Sequence, residues 1–219
     1  MPHAIHHPPP LRADQCPAYI LAGGRSSRFG SDKARVQVGD SPLLLVLRRE
    51  LMRHGHRVEI VADRADRYAD LQMECLVDWQ AEQGPVAGVA TALRHRDQQQ
   101  PGWLLLLSCD LLVWHGTWFE QLSIPLQRLP TAAQAAGEER QELEAVAFAR
   151  PGAAGELQAE PFPSLLHSRL WTSAVTLLDR QKRALQTLFS DARTVTIEAQ
   201  ESPQAWTFNT VEQLHTLRS

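Results

Sequence analysis

Residues 21–33 read Leu-Ala-Gly-Gly-Arg-Ser-Ser-Arg-Phe-Gly-Ser-Asp-Lys, which crowds Gly23, Gly24 and Gly30 among the hydroxyls of Ser26 and Ser27 and the cations Arg25, Arg28 and Lys33. Glycines let backbone N–H groups approach a phosphate, and cations offset the charge that builds on phosphoryl oxygens during displacement. An ordinary solvated surface loop would have a similar composition, so the pattern gains meaning only from partners elsewhere. Two familiar glycine-loop templates fail on spacing. A Walker loop needs G-x-x-x-x-G-K-[ST], whereas here Gly24 is followed after five residues by Gly30-Ser-Asp-Lys33, and the dinucleotide pattern G-x-G-x-x-G is absent.

Two carboxylates are candidate partners. Asp110 closes Ser108-Cys-Asp110, directly after the apolar run Trp103 to Leu107. A carboxylate there stands where magnesium could bridge it to a triphosphate; its structural alternative is a turn or a helix cap. Asp78 ends a second apolar run, Glu74 to Val77, and precedes Gly84-Pro-Val-Ala-Gly88. Gly84 and Pro85 are suited to opening a helix whose free N–H groups could meet a base or a phosphate, or they simply start that helix. Lys182 and Arg183 could meet a phosphorylated acceptor, with a solvated helix start as the alternative. His54 and His56 flank Gly55 near a predicted helix end, where capping or solvation suffices to explain them. The six tryptophans are scattered without the spacing of a stacking platform, which favours packing roles.

The elements that must position these groups follow from periodicity. Ala18 to Leu21 is a short apolar run before Gly23; Ser41-Pro42 predicts a helix N-cap and first turn, with the helix continuing to about His54. Arg57 to Ala62 alternates as a strand, Arg64 to Asp70 predicts a short helix, Glu74 to Val77 a strand, and Gly84 to Arg94 a helix. Trp103 to Leu107 is continuously apolar, as expected of a parallel strand covered on both faces. Strands alternating with helices imply right-handed crossovers and a mostly parallel sheet between helical layers. The loops after three such strands, 23–33, 78–88 and 108–112, then converge at the carboxyl edge where open α/β sheets bind ligands. Further along, the spacing predicts a helix to Arg128, strands at Ala132 to Ala136 and Leu143 to Ala149, and helices at Phe162 to Leu178 and Lys182 to Ser190. A strand at Thr194 to Glu198, a closing helix at Val211 to Leu217 and an exposed loop at Pro151 to Gly155 complete the prediction.

Composition excludes several classes. With 219 residues and 43% hydrophobic content the chain can bury one sizeable core, read here as a single domain over 17–219 after a flexible lead-in over 1–16 that carries His3, His6, His7 and a Pro8-Pro9-Pro10 run. A net charge of −3 offers no broad positive field for nucleic acid or an anionic membrane. No stretch approaches the ~20 apolar residues of a spanning helix, and the start lacks a signal-peptide core, so a cytoplasmic location is expected. Cys16, Cys75 and Cys109 are widely spaced and contain no C-x-x-C pair, which fits buried or spectator thiols in a reducing compartment.

Taken together, these motifs resemble the molybdenum cofactor guanylyltransferases of the MobA family. Leu21 to Lys33 resembles that family's L-A-G-G-x-S-x-R-M-G-x-D-K, with Phe29 for methionine. Asp78 with Gly84-Pro-Val-Ala-Gly88 is similar to D-x5-G-P-L-A-G, and Ser108-Cys-Asp110 to its strand-end motif. Gln141 to Phe148 resembles the acceptor-side Q-P-L-x-A-x-Y strand, Arg180 to Leu185 the G-x-R-x-L helix, and Phe208-Asn-Thr-Val-Glu212 the terminal N-T-P-E-D. The resemblance implies a Rossmann-like three-layer α/β sandwich with a mostly parallel sheet, and a magnesium-dependent transfer of GMP from GTP to the terminal phosphate of molybdopterin with release of pyrophosphate. It implies that Leu21, Ala22, Gly23 and Gly24 contact nucleotide, that Lys33 binds phosphate with Arg28 beside it, and that Asp78, Gly84 and Pro85 help hold guanosine. Asp110 would bind magnesium, Lys182, Arg183 and Asn209 would lie on the acceptor side, and molybdoenzyme-maturation proteins are candidate partners. Departures from the pattern fall at Val61-Ala-Asp63, Leu112, Glu142 and Thr207, which bear on base and acceptor recognition more than on phosphate and metal positions. Two alternatives use the same residues: a transferase taking CTP or another phosphorylated acceptor, and a homologue that binds nucleotide or molybdopterin without turnover.

Overall fold

The short apolar runs that end in turn chemistry become strands of one sheet. The computed structural model of the chain describes residues 9–23, 32–80, 83–127, 143–152, 155–200, 202–208, 210 and 213. In chain order its elements are β1 (Ala18–Leu21), a small hairpin of β2 (Gln37–Val38) and β3 (Ser41–Pro42), α1 (Leu43–Arg53), β4 (Val58–Ala62), β5 (Cys75–Val77), α2 (Pro85–Gln99) and β6 (Trp103–Ser108). There follow α3 (Gly116–Gln127), β7 (Ala145–Pro151), β8 (Leu157–His167), α4 (Trp171–Asp179), α5 (Leu185–Asp191) and β9 (Thr194–Ile197).

The main sheet has the order β5-β4-β1-β6-β8-β7-β9. Every pairing in it is parallel except the two made by β8, which runs antiparallel to both β6 and β7. Six strands therefore point the same way and share one carboxyl edge. Alternation along β1 divides the core in two. Ala18 and Ile20 face α1 and α3 with Leu44, Leu47, Trp118 and Leu122, while Tyr19 and Leu21 face α2 and α4 with Val89, Leu93, Leu177 and Leu178. Leu104 to Leu107 of β6 supply side chains to both faces and are wholly buried. Truncating any of these leucines to alanine would cost about 2–5 kcal/mol. The expected mostly parallel, Rossmann-like three-layer sandwich is the fold observed.

Several boundaries differ from expectation for identifiable reasons. Ser41 and Pro42 pair in the small hairpin, so α1 begins one residue later with Pro42 as its N-cap. Arg64 to Asp70 forms turns leading into a single 3-10 turn at Ala69–Leu71, not an α-helix. The largest correction is Phe162 to Leu178. Its apolar spacing at 162, 165, 166 and 170 suits a helix, yet residues up to His167 belong to β8, and only Trp171–Asp179 is α-helical. Pro161 and Pro163 are tolerated because the β7–β8 register jumps from Ala147↔Ser164 to Phe148↔Glu160, leaving Pro161, Phe162 and Pro163 in a bulge where no ladder N–H is needed. Lys182 and Arg183 precede α5 instead of starting it.

Pro151 ends β7, and Gly152 donates its N–H to the Glu156 carbonyl (2.6 Å) where the chain turns into β8. Leu11 and Ala13 pack on the core and Cys16 is fully buried, so the lead-in makes packing contacts from Leu11 onward. Ala132 to Ala136, and Val211 to Leu217 apart from Gln213, fall outside the described residues. No helix among the described residues is long and apolar enough to cross a membrane.

Candidate active site

The registers Leu21↔Val61 and Leu21↔Ser108 bring the ends of β1, β4 and β6 level. The residues just past each strand therefore gather at one edge: Ala22 and Gly23 after β1, Asp63 after β4, Asp78 after β5, and Cys109-Asp110 after β6. Backbone hydrogen bonds tie these exits together. Ala22 N–H donates to the Val61 carbonyl (2.8 Å), Asp78 N–H to that of Ala62 (2.9 Å), and Cys109 N–H to that of Leu21 (3.1 Å). Gly23 is required by close approach. A Cβ at that position would stand 3.0 Å from the Asp63 nitrogen and 3.1 Å from Ala62 Cα, both backbone atoms that cannot swing aside.

Lys33 reaches this edge from a 3-10 turn, Lys33–Arg35, whose N-cap is Asp32; the Asp32 carboxylate accepts the Ala34 N–H at 3.1 Å. The Lys33 ammonium lies 3.3 Å from Asp110 Oδ2 and donates to the Phe208 carbonyl at 2.9 Å. Phe208 N–H donates to the Asp110 carbonyl (3.3 Å), and Leu112 N–H donates to that of Trp206 (2.8 Å), so the C-terminal segment is stitched across the site. A proline in place of Leu112 would lack that N–H. Among the described residues Asp110 Oδ1 accepts no hydrogen bond, which leaves a hard oxygen donor at this edge. No group of three or more His, Cys, Asp or Glu that could hold a metal occurs among the described residues. Magnesium is commonly held by one or two carboxylates with phosphates and water completing its shell, so a single Asp110 suits it.

On the α2 face, Gly88 lets helix and strand close on Asp78. A Cβ at Gly88 would lie 3.3 Å from both Asp78 Oδ1 and Leu21 Cδ2. Burial, reinforced by the nearby Asp63 charge, pushes the Asp78 carboxyl up to about 6. Gly84 caps α2 with φ of 76°, a left-handed conformation that favours glycine, and Pro85 is the first helical residue. Arg183 Cβ would be 3.7 Å from a Cβ on Gly84, so Arg183 stands at the α2 N-terminus, and both Lys182 and Arg183 are exposed. No hydrogen bond or ion pair among the described residues joins either cation to the Lys33–Asp110 pair.

Of the predicted site residues, the structure brings Lys33 to Asp110, and Leu21 to Asp78 across Gly88. Gly24, Arg28 and Asn209 lie outside the described residues, as do Gln141 and Glu142 of the matched Gln141-to-Phe148 segment. The strand directly beside β6 is β8, with 145–151 one position further out. His56, expected at a capped or solvated position, is buried with Nδ1 2.8 Å from the Cys16 carbonyl oxygen; burial lowers its pKa. Cys16, Cys75 and Cys109 are free thiols, and burial, with Asp110 adding to it, pushes Cys109 up to about 12. Sequence reasoning missed Phe208 as the Lys33 partner, and it missed Tyr68 and Arg67, which bond to Asp32. Only Asp32 carried a signal, by adjoining Lys33.

A lysine paired with a strand-end carboxylate at the carboxyl edge of a mostly parallel sheet stands where doubly wound α/β proteins bind their ligands. Residues 18–195 match the MobA-like NTP transferase domain, and the chain belongs to that family of nucleotidyltransferases. A protein of Synechococcus elongatus named a probable molybdenum cofactor guanylyltransferase is 39% identical over 100 residues, covering 43% of this chain and 50% of that one. One of Peptoclostridium acidaminophilum with the same name is 26% identical over 204 residues, covering 90% and 86%. The chain spans about half the length of most of the curated relatives it matches. Among solved structures, molybdopterin-guanine dinucleotide biosynthesis protein A from Archaeoglobus fulgidus shares the fold at a TM-score of 0.69 and 16% identity, over 91% of this chain and 95% of that one. A 4-diphosphocytidyl-2C-methyl-D-erythritol synthase from Anaerococcus prevotii does so at 0.64 and 12%, over 92% and 93%.

Proposed function

We propose that residues 17–219 form one domain that transfers GMP from GTP to the terminal phosphate of molybdopterin, yielding molybdopterin guanine dinucleotide and pyrophosphate. The observation that carries this reading is the Lys33–Asp110 pair at the joined exits of β1 and β6, 3.3 Å apart, in a chain whose family and curated relatives carry the transferase names above.

In this reading the nucleotide lies along the carboxyl edge. Leu21, Ala22 and Gly23 meet it through backbone groups, with Gly24 and Arg28 completing the phosphate contacts. Asp78, Gly84 and Pro85 form the base side: an ionised Asp78 accepts N–H bonds from guanine, and the α2 N-terminus offers unpaired N–H groups. Magnesium, bound by Asp110 and phosphate oxygens, would supply electrostatic stabilisation of the transferring group and the pyrophosphate. Lys33 exchanges its carboxylate and carbonyl partners for phosphate oxygens as the nucleotide enters. The acceptor phosphate attacks the α-phosphorus in line, the bond to the bridging oxygen breaks, and pyrophosphate carries away the electron pair, so the chain provides positioning and charge without a covalent intermediate. Lys182, Arg183 and Asn209 are assigned to the acceptor side, and the enzyme works in the cytoplasm, where maturation proteins of molybdoenzymes are its candidate partners.

The test is to incubate purified protein with magnesium, molybdopterin and each NTP labelled at the α-phosphate, then measure pyrophosphate and dinucleotide. GTP is expected to give product in preference to CTP. Equal turnover with CTP removes the guanylyl assignment, and tight GTP binding without product supports a binding role instead.

A further inference from the structure

We infer that Tyr68 and Asp32, with Arg67, form a clasp that joins Ala22 to Asp32, the described ends of the segment between them, and thereby sets Lys33; this rests on the nucleotidyltransferase reading above. The chain leaves β1 at Ala22 and returns at Asp32, and both points converge on one buried phenol. The Tyr68 hydroxyl is 2.8 Å from the Ala22 carbonyl oxygen and 3.1 Å from Asp32 Oδ2. Its single proton is donated to either acceptor, so the start and the end of the segment compete for the same group and are held within a few ångströms of it.

Arg67 completes the clasp. Its Nε and Nη2 donate to Asp32 Oδ2 at 3.3 and 3.1 Å, its Nε also lies 3.2 Å from the Tyr68 oxygen, and its Nη1 donates to Asp63 at 2.6 Å. The guanidinium therefore ties the turn before Lys33 to the exit of β4. Asp63, one of the departures from the family pattern, is the carboxylate that anchors Arg67, and the pairing holds the Asp63 carboxyl below its usual range. The other oxygen of Asp32 caps the 3-10 turn through the Ala34 N–H, one residue past Lys33. Every hydrogen bond of Asp32 thus constrains where the Lys33 backbone sits, while none touches the base side at Asp78 and α2. Tyr68, Asp32 and Arg67 act as positioning residues.

This separation yields a readout that plain destabilisation cannot mimic. A clasp that works through the phosphate segment should govern affinity for the β- and γ-phosphates and leave recognition of nucleoside monophosphate alone. Tyr68→Phe retains the ring and removes the hydroxyl; Asp32→Asn, at a less buried position, retains the Ala34 cap and removes the charge facing Arg67. Binding of a non-hydrolysable α,β-methylene triphosphate and of the matching monophosphate is measured by calorimetry with magnesium, for GTP and CTP forms, on protein whose melting curve stays cooperative. Both variants are expected to weaken triphosphate binding about tenfold, the effect of one charge-assisted hydrogen bond, and to change monophosphate binding less than about twofold. Arg67→Lys should fall between them and wild type, because it keeps the charge but loses the fork. Equal proportional losses for triphosphate and monophosphate, or unchanged triphosphate binding in both variants, would overturn the clasp. A wild-type protein that binds neither triphosphate more tightly than its monophosphate would instead strike down the transferase reading, and the clasp with it.

Discussion

Where β5, β4, β1 and β6 end, each candidate group is held by backbone bonds between neighbouring strands, and the side chains meet partners within hydrogen-bond distance, as Lys33 does with Asp110 and Phe208. Beyond β6 the construction changes: β8 is antiparallel and interrupted by the Pro161 to Pro163 bulge, and the cations assigned to the acceptor, Lys182 and Arg183, are both exposed. The first region is joined strand to strand by backbone bonds, and the second is tied to it by the segment that reaches Phe208. Under the proposed function, the difference teaches that the triphosphate side is built from parallel-strand exits, while the acceptor side depends on added strands and returning chain.

Substitutions can break or sharpen that contrast. The largest effect is expected for Lys33→Ala, which removes the cation paired with Asp110. Turnover with saturating GTP should fall about 10²–10³-fold, the usual consequence of losing a charge that meets the transition state, as read by single-turnover pyrophosphate release. Next is Gly23→Ala, where the added Cβ meets the backbone of Ala62 and Asp63. A loss of about 2 kcal/mol in urea unfolding is expected from overpacking against atoms that cannot rotate away; an unchanged midpoint would show that the strand exits are not close-packed.

Asp78 provides a smaller, pH-dependent effect. Its folded-state carboxyl is raised to about 6 from an ordinary 3.8, so the native state holds a proton more tightly than the unfolded chain. Stability is thus fully present below about pH 4 and is lost as pH rises toward 6, which after solvent screening at a half-buried site amounts to about 1–2 kcal/mol. Asp78→Asn should abolish that slope and melt higher than wild type at pH 8, while weakening GTP binding. Smallest of all, Lys182→Ala, which removes an exposed cation worth about 0.5 kcal/mol, should raise the Michaelis constant for the acceptor about twofold and leave that for GTP unchanged, and a tenfold rise for the acceptor would show that the second region is built as specifically as the first.

Much of the first region was legible in the sequence because the strands of a mostly parallel sheet read as short apolar runs that stop at turn residues. Ala18 to Leu21 before Gly23, Val77 before Asp78, and Leu107 before Ser108 all do so, and the three loops that carry candidate chemistry follow directly. The second region was less legible. Phe162, Leu165, Leu166 and Leu170 fit a helical period, and only Pro161 and Pro163 argued against it; the bulge that accommodates them depends on pairing with Phe148, which no local window contains. The clasp was invisible for the same reason: Asp32 and Tyr68 are 36 residues apart, and nothing in either neighbourhood announces the other. Leu112 and Asp63 looked like simple departures from a family pattern, yet in the fold one donates to Trp206 and the other anchors Arg67.

The most direct test of the central claim is the rate of GMP transfer by Asp110→Asn under single-turnover conditions, with GTP labelled at the α-phosphate, molybdopterin and saturating magnesium. Asparagine preserves size and the backbone bonds that join Cys109 to Leu21 and Asp110 to Phe208, so the fold should persist. A fall of about 10²–10³-fold, with a melting temperature close to that of wild type, is the expected result. Near-normal transfer by a folded Asp110→Asn protein would contradict the assignment of the Lys33–Asp110 pair as the centre of the reaction.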